Sequence, residues 1–437
     1  MKILPSLIAA ALLLGGCATI ARHRAEDLDR IARQYVELQL ALGEKEEGYV
    51  DAYYGPPEWR TRAQAEAAAT TLDQLDVRVA GIASNLTMAM SRMREGSLDY
   101  RRARFLHAQL VAAQTRMRMM RGERLSFADE ARGLFGVDVE VRPLSAYEPL
   151  LARIERLVPG PGTLADRVDA FQSRFTIPRD RLDAVMRAAI AECRRRTLEH
   201  IALPADEQFT LEFVTRRSWS GYNWYQGNYR SLIQVNTDLP VRLSRAVDLG
   251  CHEGYPGHHA YNMLLERKLA RGRGWVEYTI YPLYSPQSLI AEGSANYGYD
   301  LAFPGDERLA FETATLYPLA GLPTADAARY LALQEALQDL AGARFTIARD
   351  LLEGRINRAE AVRLTQLYQL VSPARAEQSI AFTEQYRSYV INYGLGRDMV
   401  AAYVEAQGPD QATRWRAMER ILSEPTLPGD LAASRPK

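Results

Sequence analysis

The chain has 437 residues, of which 47% are hydrophobic and 25% are charged. Its 54 acidic and 54 basic side chains give a formal net charge of zero, so nothing favours nucleic acid or another polyanion as a partner. This length and composition are typical of a soluble globular protein that buries a large core in one large domain or a few small ones.

The N-terminus has the pattern of a secretory signal. Residues 1–17 read MKILPSLIAAALLLGGC, in which one basic residue precedes an apolar run. That run is shorter than the ~20 residues a helix needs to cross a bilayer. We therefore predict an exported protein whose signal peptide covers 1–16.

The end of this signal resembles the bacterial lipoprotein box. Leu14-Gly15-Gly16-Cys17 matches the motif in which the cysteine is lipidated, so we predict lipidation of Cys17 and a tether over 17–27. Because Ala18 and not an acidic residue follows, the resemblance favours the periplasmic face of the outer membrane of a Gram-negative bacterium, with membrane contact through the lipid alone. An ordinary cleaved signal with an incidental cysteine is the alternative.

Apolar residues then recur at helical spacing. Helices are predicted over 28–38, 72–82, 100–121 and from Pro178 to about 201. The clearest interruption of these helical patterns is the sequence VPGPG over residues 158–162. We predict a single domain over 28–432, with a candidate subdomain joint near 158–163.

Two later segments change to the alternating period of β-strands. Residues 208–214 (QFTLEFV) and 231–236 (SLIQVN) are rich in β-forming residues, and we predict that they form a small antiparallel sheet. The aromatic segment 219–229 between them is predicted to be a loop that lines a pocket. A surface hairpin that packs its own rings is the alternative.

The segment CHEGYPGHHAY over 251–261 contains three of the six histidines. Histidine is the commonest zinc ligand, and a catalytic zinc typically takes three protein ligands and keeps a fourth position for water. His252-Glu253 begins like the zinc motif HExxH, but Pro256 stands where that motif has its second histidine. Either the site has decayed or the chain holds the metal in another way.

Pro256 prevents a continuous helix, since it has no amide hydrogen for the carbonyl of His252 and its ring clashes there. On a continuous helix, His259 would return to the face of His252 more closely than His258 does. The glycines on both sides of the proline permit a bulge instead. A two-residue bulge would bring His258 to the place of the second histidine in HExxH.

The motif HExxPGHH, followed downstream by EGSANY at 292–297, resembles a widespread bacterial family of long-unassigned function. That family is placed near the thermolysin-like HExxH zinc metallopeptidases, and its members often carry lipoprotein signals. Softer matches extend the resemblance over most of the mature chain, at 50–56, 234–236 and 389–397.

The resemblance implies a zinc ion held by His252, His258 and Glu292, with Glu253 as the general base. Iron or manganese would also suit two imidazoles and a carboxylate. An exposed helical glutamate is the alternative for Glu292. His259 is the alternative second ligand, or a residue that hydrogen-bonds a ligand.

Further site residues are predicted near these motifs. Tyr393 is the candidate donor to the negative charge that develops on the substrate carbonyl, and Arg397 the candidate partner of a substrate carboxylate. Asn236 is predicted to contact the substrate backbone, because thermolysin-like enzymes run an edge strand beside the metal motif. Cys251 is expected to be a small buried residue. The sequence does not decide whether it forms a disulfide with Cys193.

The expected fold is mainly α, because residues 325–424 also have helical spacing almost throughout, with a small antiparallel sheet beside the active-site helix. The leading hypothesis is a lipid-anchored zinc peptidase that acts on oligopeptides. Two alternatives stay open, a ligand-binding lipoprotein without turnover and a metal-dependent hydrolase of an ester or a non-peptide amide. A protein that only binds would have no need of Glu253.

Overall fold

The structure is a computed structural model that describes residues 27–432. The predicted signal peptide, Cys17 and all but the last residue of the predicted tether lie outside the described residues. Between residues 27 and 432, no helix is both long and apolar enough to cross a membrane.

The described chain is mainly helical, which confirms the predicted fold class. Before the sheet the helices are α1 (27–43), α2 (Pro57–Glu66), α3 (Leu72–Met90), α4 (Leu98–Met120), α5 (Phe127–Phe135), α6 (Glu148–Leu157), α7 (Leu164–Ser173) and α8 (Leu182–Leu198). After it come α9 (Ser244–Leu249), α10 (His258–Leu265), α11 (Pro286–Ala302), α12 (Glu307–Phe311), α13 (Tyr317–Ala320), α14 (Ala327–Gln338), α15 (Ala341–Leu352), α16 (Arg358–Gln369), α17 (Pro373–Tyr386), α18 (Ile391–Glu405), α19 (Gln411–Ser423) and α20 (Pro428–Ala432).

Two small sheets accompany the helices. The strands are β1 (Val50–Tyr53), β2 (Gln208–Val214), β3 (Gly221–Gly227), β4 (Arg230–Asn236) and β5 (Ile280–Pro282). β1 pairs antiparallel with β5, and the other three form a sheet in the order β2-β4-β3. The small sheet before the histidine motif is therefore confirmed.

The pairing inside the three-stranded sheet differs from the prediction. The two predicted strands, β2 and β4, run parallel, and the segment predicted to be a loop is a third strand, β3, antiparallel to β4. β3 turns back into β4 through Asn228 and Tyr229, which both have the positive φ of a type I′ turn. Because this extra strand reverses the chain once more, β4 takes the direction of β2.

The loop over 158–163, predicted as a subdomain joint, connects α6 to α7. Ile154 on α6 and Phe171 on α7 are both buried in one continuous hydrophobic core, which also includes residues of α11 and α18. The helices on the two sides of this loop therefore share their packing.

α11 and α18 approach each other closely because glycines lie at their crossing. A Cβ on Gly293 would lie 2.5 Å from the backbone of Gly396, and a Cβ on Gly396 would lie 2.8 Å from the carbonyl oxygen of Leu289. Larger residues would push the helices apart. This crossing holds Glu292 of α11 close to Tyr389, which lies just before α18.

Candidate active site

The histidine motif contains the predicted bulge. α9 continues as a π-helical turn over Gly250–Gly254, and α10 begins at His258. The amide of Gly257 donates to the carbonyl of Cys251 at 3.0 Å. A Cβ on Gly257 would lie 1.9 Å from the carbonyl oxygen of His252, so this turn requires glycine.

The bulge brings His252 and His258 together, and α11 adds Glu292. The two Nε2 atoms are 3.1 Å apart. Glu292 Oε2 lies 3.2 Å from His252 Nε2 and 3.6 Å from His258 Nε2. A tetrahedral zinc with bonds of about 2.0–2.2 Å separates its ligand atoms by roughly 3.3–3.6 Å, so this triangle has the size of one face of such a site. Between residues 27 and 432, no other group of three such side chains converges in this way.

The charges at this triangle suit a cation. Glu292 Oε2 is buried and makes no hydrogen bond within the described chain. Burial opposes the charge of Glu292, but His258 and His252 hold its pKa well below the usual range. Burial also opposes a charged His258, yet Glu292 raises the pKa of that imidazole to about 9. The buried carboxylate thus requires a positive neighbour. A divalent cation meets this requirement and also suits the donor set of two imidazoles and a carboxylate.

Two hydrogen bonds orient the ligands. Asn296, one turn after Glu292 on α11, places its Oδ1 3.1 Å from His252 Nδ1. An accepting oxygen there puts the hydrogen on Nδ1 and leaves Nε2 free for a cation. The hydroxyl of Tyr389 donates to Glu292 Oε1 at 2.7 Å. Sequence reasoning missed both residues, although the spacing of Glu292 and Asn296 at i and i+4 places them on one helix face.

Glu253 lies beside the triangle without joining it. Its Oε1 is 4.0 Å from His252 Nε2, and its buried Oε2 makes no hydrogen bond within the described chain. Burial raises the pKa of Glu253, more than His252 and His258 lower it. Asn223 of β3 donates to the backbone carbonyl of Glu253 at 2.7 Å and so helps to hold the residue. A free carboxylate with a raised pKa suits proton exchange.

These residues line one side of a cavity of about 980 Å³. That volume is at the upper end of the range for ligand sites and suits a short peptide. Asp51 of β1 also lines it and accepts a hydrogen bond of 3.0 Å from the hydroxyl of Tyr222. Burial raises the pKa of Asp51 to about 6. Aromatic rings form much of the remaining wall, from Trp219, Tyr281, Tyr284, Phe382, Tyr386, Tyr389 and Tyr393.

His259 lies in a separate buried network, so the prediction that it binds the metal or hydrogen-bonds a ligand is wrong. Its Nδ1 is 2.7 Å from Ser231 Oγ, and its Nε2 is 3.0 Å from Glu207 Oε2. Glu207 also accepts hydrogen bonds from Tyr255 and Arg194. Burial opposes the charge of Glu207, but these donors lower its pKa to about 2. His259 therefore ties α10 to β4.

Asn236 does not face a substrate, which corrects its predicted role. Its strand, β4, is the central strand, so its backbone groups are already paired on both sides. The side-chain nitrogen donates to the carbonyls of Arg217 and Trp219, and the oxygen accepts from the amide of Asp238 at 2.9 Å. The residue shapes the loop that leads into β3.

Arg397 also takes a role other than the predicted one. It donates to Asp300 Oδ2 at 2.5 Å from Nη2 and 3.1 Å from Nε, and it is not among the residues that line the cavity. Because Asp300 already occupies these guanidinium donors, Arg397 does not offer them to a substrate carboxylate. Tyr393 does line the cavity, and its ring lies alongside that of His252 with centroids 6.3 Å apart.

Cys251, next to the first histidine, forms a disulfide with Cys193 of α8. Cys251 is buried as expected, and the disulfide that the cysteine count left undecided is present. The bridge joins the π-helical turn to α8 and fixes the backbone next to His252.

Two solved structures that are similar to the chain share little of its sequence. No protein-family model and no curated protein matches it. A presumed lipoprotein from Colwellia psychrerythraea is 15% identical with a TM-score of 0.49, over 82% of this chain and 71% of that one. A protein described as CHT is 12% identical with a TM-score of 0.38, over 92% of this chain and 91% of that one. These likenesses are too distant to assign an activity.

Proposed function

We propose that the protein is a zinc-dependent peptidase that hydrolyses oligopeptides, with His252, His258 and Glu292 as the metal ligands. The observation that carries this proposal is the triangle of their three ligand atoms, with the free carboxylate of Glu253 beside it. A ligand-binding protein without turnover needs no such carboxylate. Export and a lipid anchor at Cys17 stay predictions from the sequence.

A zinc ion bound there would lower the pKa of a water molecule towards neutrality and polarise the substrate carbonyl. Glu253 takes the proton from the attacking water and returns it to the nitrogen of the leaving amine, so that the peptide C–N bond breaks. Its carboxylate is suited to both transfers because no hydrogen bond within the described chain occupies Oε2.

Tyr393 is the donor to the oxygen on which negative charge develops. Burial raises the pKa of Tyr393 well above its ordinary value, so the hydroxyl keeps the proton that it must donate. Its neighbour Tyr389 is less suited to this role, because that hydroxyl is already hydrogen-bonded to Glu292.

The substrate backbone binds along β3. This strand is at the edge of the three-stranded sheet and reaches the cavity through Gly221, Tyr222 and Asn223. An extended peptide can add to an exposed strand edge by main-chain hydrogen bonds. In this proposal β3, and not β4 as the sequence suggested, is the edge strand that pairs with the substrate.

The test is zinc-dependent cleavage of a mixed set of short peptides, followed by mass spectrometry. We expect the zinc-loaded protein to cut peptides, a chelator to stop the reaction and added zinc to restore it. Parallel reactions contain ester and non-peptide amide substrates. Cleavage of those substrates alone would contradict the peptidase proposal and favour another metal-dependent hydrolysis.

A further inference from the structure

Arg344 of α15 lies in the wall of the cavity and forms no ion pair with an acidic side chain of residues 27–432. Its guanidinium carbon is 5.2 Å from the ring centroid of Phe382 and 5.8 Å from that of Tyr393. Its Nε is buried and makes no hydrogen bond within residues 27–432. Burial lowers the pKa of Arg344 more than the nearby hydroxyl of Tyr393 raises it. The guanidinium therefore has donors available towards the cavity.

The four other arginines of this cavity wall differ from Arg344. Arg375 donates to the carbonyl of Pro240 at 2.7 Å, Arg217 is exposed, and the remaining two are paired with acids. Arg116 forms an ion pair with Glu46, and Arg245 lies 3.4 Å from Asp248. Removing a guanidinium from water without a partner is costly, so an unpaired arginine inside a wall is unusual. An anion brought by the substrate would complete the site at Arg344.

We propose that Arg344 binds the C-terminal carboxylate of the peptide, so that the enzyme removes short fragments from the C-terminal end. This inference rests on the proposed peptidase function. A guanidinium holds a carboxylate through two parallel hydrogen bonds, and its stacking between aromatic rings keeps the fork in one orientation. The carboxylate stays charged at neutral pH, whereas a peptide bond inside a longer chain has no such group.

The distance from Arg344 to the histidines sets the length of the fragment. The ring of His252 is 6.3 Å from the ring of Tyr393, which is 5.8 Å from the guanidinium carbon of Arg344. The histidine ring and the guanidinium are therefore at most about 12 Å apart. An extended chain spans about 3.5 Å per residue, so about three residues or fewer separate the cleaved bond from the C-terminus.

The test compares a short peptide that ends in a free carboxylate with the same peptide that ends in an amide. Cleavage is followed by mass spectrometry with the zinc-loaded wild type. Binding is measured separately by calorimetry with zinc-loaded Glu253→Gln, in which we expect turnover to be slowed about 10²- to 10⁴-fold. We expect the free acid to bind roughly 10- to 100-fold more tightly than the amide, and the fragments released to contain one to three residues.

Arg344→Gln should remove this preference, whereas Arg344→Lys should keep part of it because the charge remains. Arg397→Gln is the matched control, since that arginine is paired with Asp300 and lies outside the cavity wall. It should leave the preference unchanged. Thermal unfolding shows whether Arg344→Gln is folded. If it is not, the test rests on Arg344→Lys and on the comparison of acid and amide peptides with the wild type.

Equal cleavage of acid and amide by wild type would overturn the role of Arg344 and leave the peptidase proposal standing. Tighter binding of the acid that depends on Arg344, without any cleavage, would support the carboxylate site and contradict the peptidase proposal. Binding of neither peptide, or a preference that survives in Arg344→Gln, would overturn the inference.

Discussion

Replacing Glu253 by glutamine is expected to reduce kcat for peptide hydrolysis by about 10²- to 10⁴-fold, the usual contribution of a general acid or base. Glutamine keeps the shape of the side chain but cannot accept the proton of the attacking water. Zinc affinity should change little, because Glu253 lies beside the ligand triangle and its nearer oxygen is 4.0 Å from His252 Nε2. The measurement is kcat on one cleaved peptide, together with zinc content.

Glu47→Gln is the matched control for this prediction. Glu47 also lines the cavity, but its side chain is exposed and has no part in the proposed chemistry. It should keep kcat within a few-fold of wild type. A Glu253→Gln protein that binds zinc and turns over as fast as Glu47→Gln would show that another group takes the proton.

Removing the disulfide is expected to lower the free energy of unfolding by about 4 kcal/mol in the chain-entropy description. The bridge joins Cys193 to Cys251 across 58 residues of sequence, and without it the unfolded chain gains the freedom of that loop. Denaturant unfolding of the double variant Cys193→Ala/Cys251→Ala measures this loss.

Reduction of the wild type supplies the control for the disulfide, because it opens the bridge without changing the packing volume. Both samples should lose similar stability, and zinc affinity should fall in both because Cys251 precedes His252. A loss below about 1 kcal/mol in both samples would mean that the bridge does not constrain the unfolded chain as this description requires.

Local patterns predicted much of the fold. The spacing of apolar residues located α1, α3 and α4, since a helix that buries one face must repeat that spacing. Strand direction was predicted wrongly because the aromatic segment between β2 and β4 is itself a strand. Its alternation is visible in the buried Asn223 and Tyr225 only once the hairpin turn is known.

The metal ligands could be proposed from sequence because they combine rare residues in a short motif with one distant glutamate. The choice between His258 and His259 depended on a bulge that proline and glycine permit but do not require. The structure brings His258 to His252 and places His259 against Ser231 and Glu207.

The arginines show what the sequence could not provide. Arg397 follows a promising tyrosine motif, but Asp300, its partner, is remote in sequence and meets it only through the packing of α11 on α18. Arg344 carries no motif at all. Arg344 was singled out because its buried Nε has no hydrogen-bond partner within the described chain. Only the tertiary structure shows that this guanidinium lies in a cavity wall.

The zinc content of the purified wild type and three variants, measured by equilibrium dialysis against a competing chelator, tests the central claim most directly. The account predicts about one tightly held zinc per chain in the wild type and in His259→Gln, which keeps a hydrogen-bonding side chain in the buried network. Zinc affinity should fall by more than about 100-fold in His258→Ala and in Glu292→Ala, because the loss of a ligand lowers metal affinity more than the loss of a residue that orients a ligand. Wild-type zinc affinity in His258→Ala, or loss of zinc in a folded His259→Gln, would contradict it.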